Sequence, residues 1–486
     1  MLFNSYIFIF AFLPITLIGY FSLNRYASSK WGKIWLVVAS LFFYSYWNVR
    51  YLPLILTSIL VNFLVGNALV HKSLHERISP KTILILGLIF NIGLLGYYKY
   101  TDFFLANINA AFNTSFILPH IILPLGISFF TFTQIAYLVD AYRGEAREYN
   151  LINYALFVSF FPHLLAGPIL RHSHMIPQFL DENNKSPDSS NMATGIFLFI
   201  VGLFKKVIIA DTFAVWANFG FDTASSLTFI EAWVTSLSYT MQLYFDFSAY
   251  TDMALGTGYM LNIKMPINFN SPYKSYNIQD FWRRWHITLG NFLRDYIYIP
   301  LGGNRGGEWK TYRNLMITFL IGGLWHGAGW TFVFWGFLHG AAQVVHRAWK
   351  KLQITMPRAL AWFLTFNFVN VAWVFFRAKT WNDALKVLAW MIGMNGVVLP
   401  TRLADSLSGL TALGVTFAPL GQSFAGISQA VILLTIFMVV VLTVKNSIEL
   451  SRSYKANLGT AVVLAALATW CLFNMNQVSE FLYFNF

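Results

Sequence analysis

Charge is what this sequence has least of. Asp, Glu, Lys and Arg make up 11% of its 486 residues, where a soluble domain carries about a quarter, so no sizeable soluble domain is expected. A single cysteine, Cys471, excludes an intrachain disulfide and any multi-cysteine metal site. The N-terminal apolar stretch lacks a basic leader and an A-x-A-type cleavage site, so it is expected to be the first membrane helix and not a removable signal peptide. The formal net charge is +13, but the basic residues fall in short clusters between apolar runs and not along one face or tail, which argues against a nucleic-acid partner.

What the chain has instead is apolar length. Hydrophobic residues make up 57% and aromatics 18%, and runs of roughly 17 to 25 residues, enough for a helix to cross about 30 Å of hydrocarbon, recur from end to end. After the first, they fall near 34–48, 52–70, 82–98, 120–139, 150–169, 193–210, 228–246 and 248–262, then near 313–325, 328–345, 358–376, 382–394, 428–444 and 459–475. The expectation is an all-α, polytopic integral membrane protein with about 11–13 membrane helices. It reads as one domain over 1–486, with N-terminal helices to 140, a core over 141–345 and C-terminal helices from 346. Pro and Gly interrupt "LPLGISFF" (123–130) and "FFPHLLAGPILR" (160–171), as in re-entrant or broken helices that line a protein-enclosed cavity. Lys and Arg in 24–33, 71–81, 142–149, 346–358 and 445–455 assign those loops to the cytoplasm, with both chain ends outside.

Polar residues gather between 242 and 340. Asp246 and Asp252 lie in apolar surroundings, where a carboxylate is a functional candidate; each would equally serve by pairing with an arginine to join two helices. From Phe281 to Tyr298 the spacing predicts one helix, with Phe281, Trp285, Leu289 and Phe292 on one face, Arg283, Gly290 and Arg294 opposite, and His286 on the flank. Such a helix either lies on the membrane surface or caps a cavity with its basic side toward an anion. The glycines of "PLGGNRGG" (300–307) then end it without matching a phosphate loop. Most of the ten histidines sit in basic loops, at helix ends or beside glycine, and the His172-x-His174 pair lacks the carboxylate or cysteine partner of a metal site; no metal is expected. His326, in "GGLWHGAGWTFVFWGFLHG" (322–340), differs in having no charge nearby. By itself it is either a hydrogen-bonded core residue or a catalyst.

That stretch, with "FWRRWHITLGNFLRDYIYIPLGGNR" (281–305), "YFDFSAYTDMALGTGYMLNI" (244–263), "FNSPY" (269–273), "PLGISFFTFTQIAYLVDAYRG" (124–144) and "AGPILR" (166–171), resembles the membrane-bound O-acyltransferase (MBOAT) family. The opening "MLFNSYIFIFAFLP", "SLFFYSYW" (40–47), "WVFFRA" (373–378) and the closing "FLYFNF" (481–486) are similar to the branch typified by the membrane subunit of bacterial alginate O-acetyltransferase. Roughly the whole chain is covered, residues 395–430 least distinctively. Two places depart from the pattern: Gly290-Asn291-Phe292 stands where relatives often carry Ser and Trp, and His163 where another polar residue is common.

The resemblance implies a multi-pass protein of the bacterial cytoplasmic (inner) membrane, its helices ringing a central tunnel. There a cytoplasmic donor, acetyl-CoA, meets an acceptor from outside, with no permanently bound cofactor. The family's invariant histidine maps onto His326 and its second polar position onto His286; Asp246, Asn270 and Trp325 are further substrate-side candidates. A periplasmic acetyltransferase partner and an exported or cell-envelope polysaccharide are implied as recipients, while related branches acylate peptidoglycan, cellulose or, with D-alanine, teichoic acid. From charge and spacing, Arg283, Arg284, Arg294 and Arg305 are candidates for the donor's phosphates, or for anchoring at lipid headgroups.

Acetyl transfer from a thioester requires the hydroxyl to lose its proton as it attacks, a task for a histidine whose ordinary pKa lies near neutrality. His326 is therefore expected to act as general base, and His286 to orient the donor or stabilise the developing oxyanion. Neither a cysteine nor a serine at a glycine elbow adjoins His326, which favours direct transfer over an acyl-enzyme. A lipid or sugar transporter would show two similar halves; none is evident. A scaffold for a secretion complex would keep its product when His326 is lost.

Overall fold

The apolar runs fold as helices close to their expected limits, among them Ser29–Ser45, Leu52–Val70, Pro80–Leu95, Arg358–Arg377, Ile427–Thr443 and Leu458–Asn474. They belong to a computed structural model that describes residues 1–419, 424–475 and Leu482. By length and apolarity five helical runs among these residues are able to cross a membrane: Phe8–Tyr26, Val49–Val70, Pro80–Phe112, Ser189–Thr223 and Arg358–Arg377. A sixth forms if Ile427–Thr443 and Ser447–Ser453, bent by 55°, count as one span. Fewer helices meet both criteria than the about 11–13 expected, because those nearest the centre are short or carry polar residues. Ile127–Tyr142, for example, buries Ser128, Thr131, Thr133, Gln134 and Asp140 among its aromatics.

The two runs expected at 228–246 and 248–262 form one helix of 32 residues, Phe229–Met260. Thr228 and Glu231 close its first turn as a capping box, and no Pro interrupts it. At 1.5 Å per residue it is roughly 48 Å long, and nearly all of it is buried. Ser189–Phe204 lies against it backbone to backbone: a Cβ on Gly195 would stand 2.6 Å from the Gly256 carbonyl oxygen, and one on Gly256 equally close to that of Gly195. Small residues at a helix crossing permit this approach. Two ion pairs reinforce it, Lys205 with Asp252 at 2.7 Å and Lys206 with Asp246 at 2.7 Å, the latter lysine also meeting Asp211 at 3.0 Å. The partners of the two aspartates are thus lysines from the neighbouring helix, not arginines.

Irregular backbone lies where Pro and Gly announced it. Leu151–Ser159 breaks at Phe160, a four-residue helix Phe161–Leu164 follows, and residues 156–170 are enclosed by protein, with His163 Nε2 3.0 Å from the Phe157 carbonyl oxygen. One departure from an all-helical chain falls in the least distinctive region, where Val397–Pro400 and Val415–Ala418 pair as two short parallel strands, Val397 opposite Val415. The closing "FLYFNF" lies outside the described residues except for Leu482, whose amide donates to Asp246 at 3.0 Å.

Candidate active site

His326 is the last residue of the helix Glu308–His326, which the extended Gly327 terminates before the chain returns as Trp330–Lys351. The two helices touch through glycine. A Cβ on Gly323 would stand 2.3 Å from the Phe332 carbonyl oxygen, and one on Gly336 2.4 Å from that of Phe319, so a larger side chain would push the hairpin apart. At its far end Glu308 meets Arg347 at 2.8 Å and Lys351 at 3.3 Å. The positive-inside rule is the argument for reading that basic end as cytoplasmic. A helix of this length rises about 27 Å, which sets His326 at the end of the hairpin far from those cations.

The imidazole of His326 is 3% exposed and boxed by aromatic edges: Trp325 at 4.9 Å, Trp335 at 5.0 Å and Phe376 at 5.0 Å between ring centroids. His286 approaches to 6.5 Å, its ring tilted by 72°, and Trp325 touches both histidines, standing 5.9 Å from His286.

The path that brings His286 there differs from the expected single helix. The segment is broken into Ile278–Arg284 and Ile287–Leu293, and at the break His286 takes φ 43° and ψ 54°. This left-handed conformation is uncommon for a residue with a Cβ and persists only where surroundings hold it. Asn268 and Asn270 do so. The Asn268 carbonyl accepts from the amide of Ile287 at 3.0 Å, its side chain accepts from the Thr288 amide and hydroxyl at 3.1 and 2.7 Å, and the Asn270 amide donates to the Arg284 carbonyl at 2.9 Å. The kink turns the His286 ring, fully buried, onto Phe247 at 4.8 Å.

Beside His326 lies a cavity with about 40 Å³ of room for water-sized molecules, walled by the turn at 123–129, Leu165, Trp325 and His326, and also by Lys99; His286 is not among its walls. Lys99 was not singled out in the sequence. Its signal was a lone lysine, in "GYYKY", at the end of an apolar run, where a charge is costly enough to ask for a reason.

The other end of the hairpin is polar. Trp335, His339, Gln343 and His346 recur on one face of Trp330–Lys351, leading from the His326 ring toward a second cavity lined by Gln343, His346, Arg347, Lys350, Tyr298 and Asn304, among others, with about 210 Å³ of room. Trp282 donates its indole N–H to His339 Nδ1 at 3.1 Å, and Lys350 donates to Gln279 at 2.9 Å. The four arginines expected at the donor's phosphates are not among this cavity's walls. Arg284 pairs with Asp280 at 3.0 Å, Arg294 with Asp295 at 2.6 Å, and Arg283 and Arg305 are exposed. Asp246 is engaged by Lys206, and the Asn270 side chain accepts from Asn446 at 3.1 Å.

Two buried histidines, of which His326 lines a cavity at one end of a hairpin with cations at the other, offer ring nitrogens able to take a proton from a hydroxyl. Comparison with known proteins places the chain as a whole in one family. Residues 10–380 match the membrane-bound O-acyltransferase family. The chain is 50% identical to a peptidoglycan O-acetyltransferase of Helicobacter pylori, over 100% of its own length and 98% of the relative's. It is 40% identical to a probable alginate O-acetylase of Pseudomonas aeruginosa, over 88% of this chain and 82% of that one. A teichoic acid D-alanyltransferase of Bacillus subtilis is 29% identical over 54% of this chain and 71% of its own.

Proposed function

Because the chain belongs to the membrane-bound O-acyltransferase family, we propose that it carries an acetyl group from cytoplasmic acetyl-CoA to a hydroxyl on the outer side of the bacterial cytoplasmic membrane, for the O-acetylation of a cell-envelope glycan. The observation that carries this reading is the pair His326 and His286, 6.5 Å apart, with His326 lining a cavity at the end of the hairpin remote from its basic cluster.

The hydroxyl gives its proton to the His326 imidazole as its oxygen bonds to the thioester carbonyl carbon. His286 faces the carbonyl oxygen, on which negative charge develops. The C–S bond then breaks, and the leaving thiolate takes the proton from the imidazolium, so the base is restored. The donor's phosphates rest at Lys350, beside the Arg347–Glu308 pair, and the polar stripe of Gln343 and His339 guides its amide-bearing arm toward His326. The first recipient is a hydroxyl of a periplasmic acetyltransferase partner, which passes the acetyl group to the glycan. Full-length similarity to the peptidoglycan O-acetyltransferase supports peptidoglycan as that glycan; an exported polysaccharide is the second reading, supported by the alginate relatives.

The test is acetyl transfer from radiolabelled acetyl-CoA in inverted membrane vesicles. His326→Ala is expected to insert normally and lose about 10²- to 10⁴-fold in rate, and a normal rate would remove the mechanism. Lys350→Ala is expected to raise the KM for acetyl-CoA roughly tenfold with little change in kcat, as for one lost charged contact; an unchanged KM would move the phosphates elsewhere.

A further inference from the structure

The ammonium of Lys99 reaches across from another helix to the end of the one that carries His326. Lys99 belongs to a five-residue π-turn, Gly96–Tyr100, between Pro80–Leu95 and Thr101–Phe112. Its Nζ donates to the carbonyl of Trp325 at 2.6 Å, to that of His326 at 3.0 Å and to the Ser128 hydroxyl at 3.4 Å. An ammonium has three N–H donors, and here each has an acceptor.

The last carbonyls of a helix have no partners within it and form the negative end of its dipole. In this helix they are served one by one: Gly323 by the amide of Gly327 at 3.4 Å, Leu324 by the Tyr100 hydroxyl at 2.7 Å, and Trp325 and His326 by Lys99. Neutral donors are enough for such a cap, as Tyr100 illustrates, whereas a charge in this setting is costly. The choice of lysine at the two carbonyls nearest the base therefore asks for a function beyond capping. Lys99, Ser128 and His326 line the same small cavity, so whatever fixes this helix end also fixes the imidazole relative to a hydroxyl entering there. A π-turn is a frequent device at functional sites, and this one supplies the lysine.

We propose that Lys99 is a positioning residue for acetyl transfer: its ammonium clamps the end of the His326 helix and sets where the imidazole stands in the cavity. The proposal rests on the reading of His326 as the base. Clamping contributes through geometry, and a displacement of about 1 Å at a reacting group is enough to cost roughly 10²-fold in rate.

The experiment measures initial rates of radiolabelled acetyl transfer in inverted vesicles for wild type, Lys99→Met, Lys99→Arg and His326→Ala, normalised to folded protein. The expected result for Lys99→Met is a kcat lowered about 10²-fold with the KM for acetyl-CoA within about twofold, and Lys99→Arg recovers at least tenfold of that loss because it keeps a charged donor. A Lys99→Met kcat close to wild type overturns the proposal, as does a Lys99→Arg variant no better than Lys99→Met. Should Lys99→Met not fold, Lys99→Gln, which keeps N–H donors but no charge, takes its place: its kcat is expected to fall about tenfold at unchanged KM, and an unchanged kcat overturns the clamp. His326→Ala separates the two claims. If it is inactive while Lys99→Met is normal, only the clamp fails; if it is active, the base reading fails and takes the clamp with it.

Discussion

His286 is held in a backbone conformation that few residues adopt, and this makes its two contributions separable. At φ 43° Asn is tolerated nearly as well as His, while a β-branched residue is not. His286→Asn is therefore expected to unfold at the wild-type temperature yet lose about 10²-fold in kcat, the scale of one lost oxyanion donor. His286→Val is expected to lose about 1–3 kcal/mol of stability as well. Thermal unfolding in detergent together with the vesicle rate tests both, and a fully active His286→Asn would demote the ring to packing. The candidate histidines were legible in the sequence through the motifs that resemble the family, since by itself each is as readily a buried core residue. The strain at His286 was not: Phe281, Trp285, Leu289 and Phe292 follow helical spacing across the break, and the hydrogen bonds from Asn268 and Asn270 that impose it come from a segment some twenty residues earlier. Arg283, Arg284, Arg294 and Arg305 were singled out by charge and spacing, which do not say that Arg284 and Arg294 meet aspartates while Arg283 and Arg305 stand exposed.

At the scale of elements, the long helix Phe229–Met260 is joined to Ser189–Phe204 and the turn after it by glycine contacts and by buried lysine–aspartate pairs. Removing one member of a buried pair leaves a charge without its partner, at a cost of about 3–5 kcal/mol. Asp246→Ala is expected to lower the unfolding temperature markedly, and the double change Asp246→Leu with Lys206→Met to restore much of it, since apolar replacement of both partners is often neutral. Equal instability of the single and double variants would show that Asp246 matters for another reason. The sequence marked Asp246 and Asp252 as costly where they stand. It did not reveal that Lys205 and Lys206, forty residues away, answer them, because pairing between helices depends on which faces meet.

For the whole molecule, the useful asymmetry is between the two ends of the hairpin that carries His326. Cations at Arg347, Lys350 and Lys351 mark the end proposed to face the cytoplasm, and the roughly 27 Å rise of the helix sets the proposed base at the other end, toward a recipient outside. Deleting the chain from its host is accordingly expected to remove O-acetyl esters from an envelope glycan, with peptidoglycan the first to examine, by mass spectrometry of isolated muropeptides and exported polysaccharides. Loss confined to an exported polysaccharide would favour the second reading, and no loss in either would exclude both. The sequence by itself determined that the chain is helical and lives in a membrane, since apolar length and scarce charge leave no other way to satisfy the backbone. Its motifs pointed to His326 and His286. Only the tertiary structure decided that the two imidazoles stand 6.5 Å apart, that a kink aims one of them, and that a lysine from a distant helix seals the end of the other's. Those are relations between segments far apart in the chain, fixed by which surfaces pack, and spacing along one segment does not encode them.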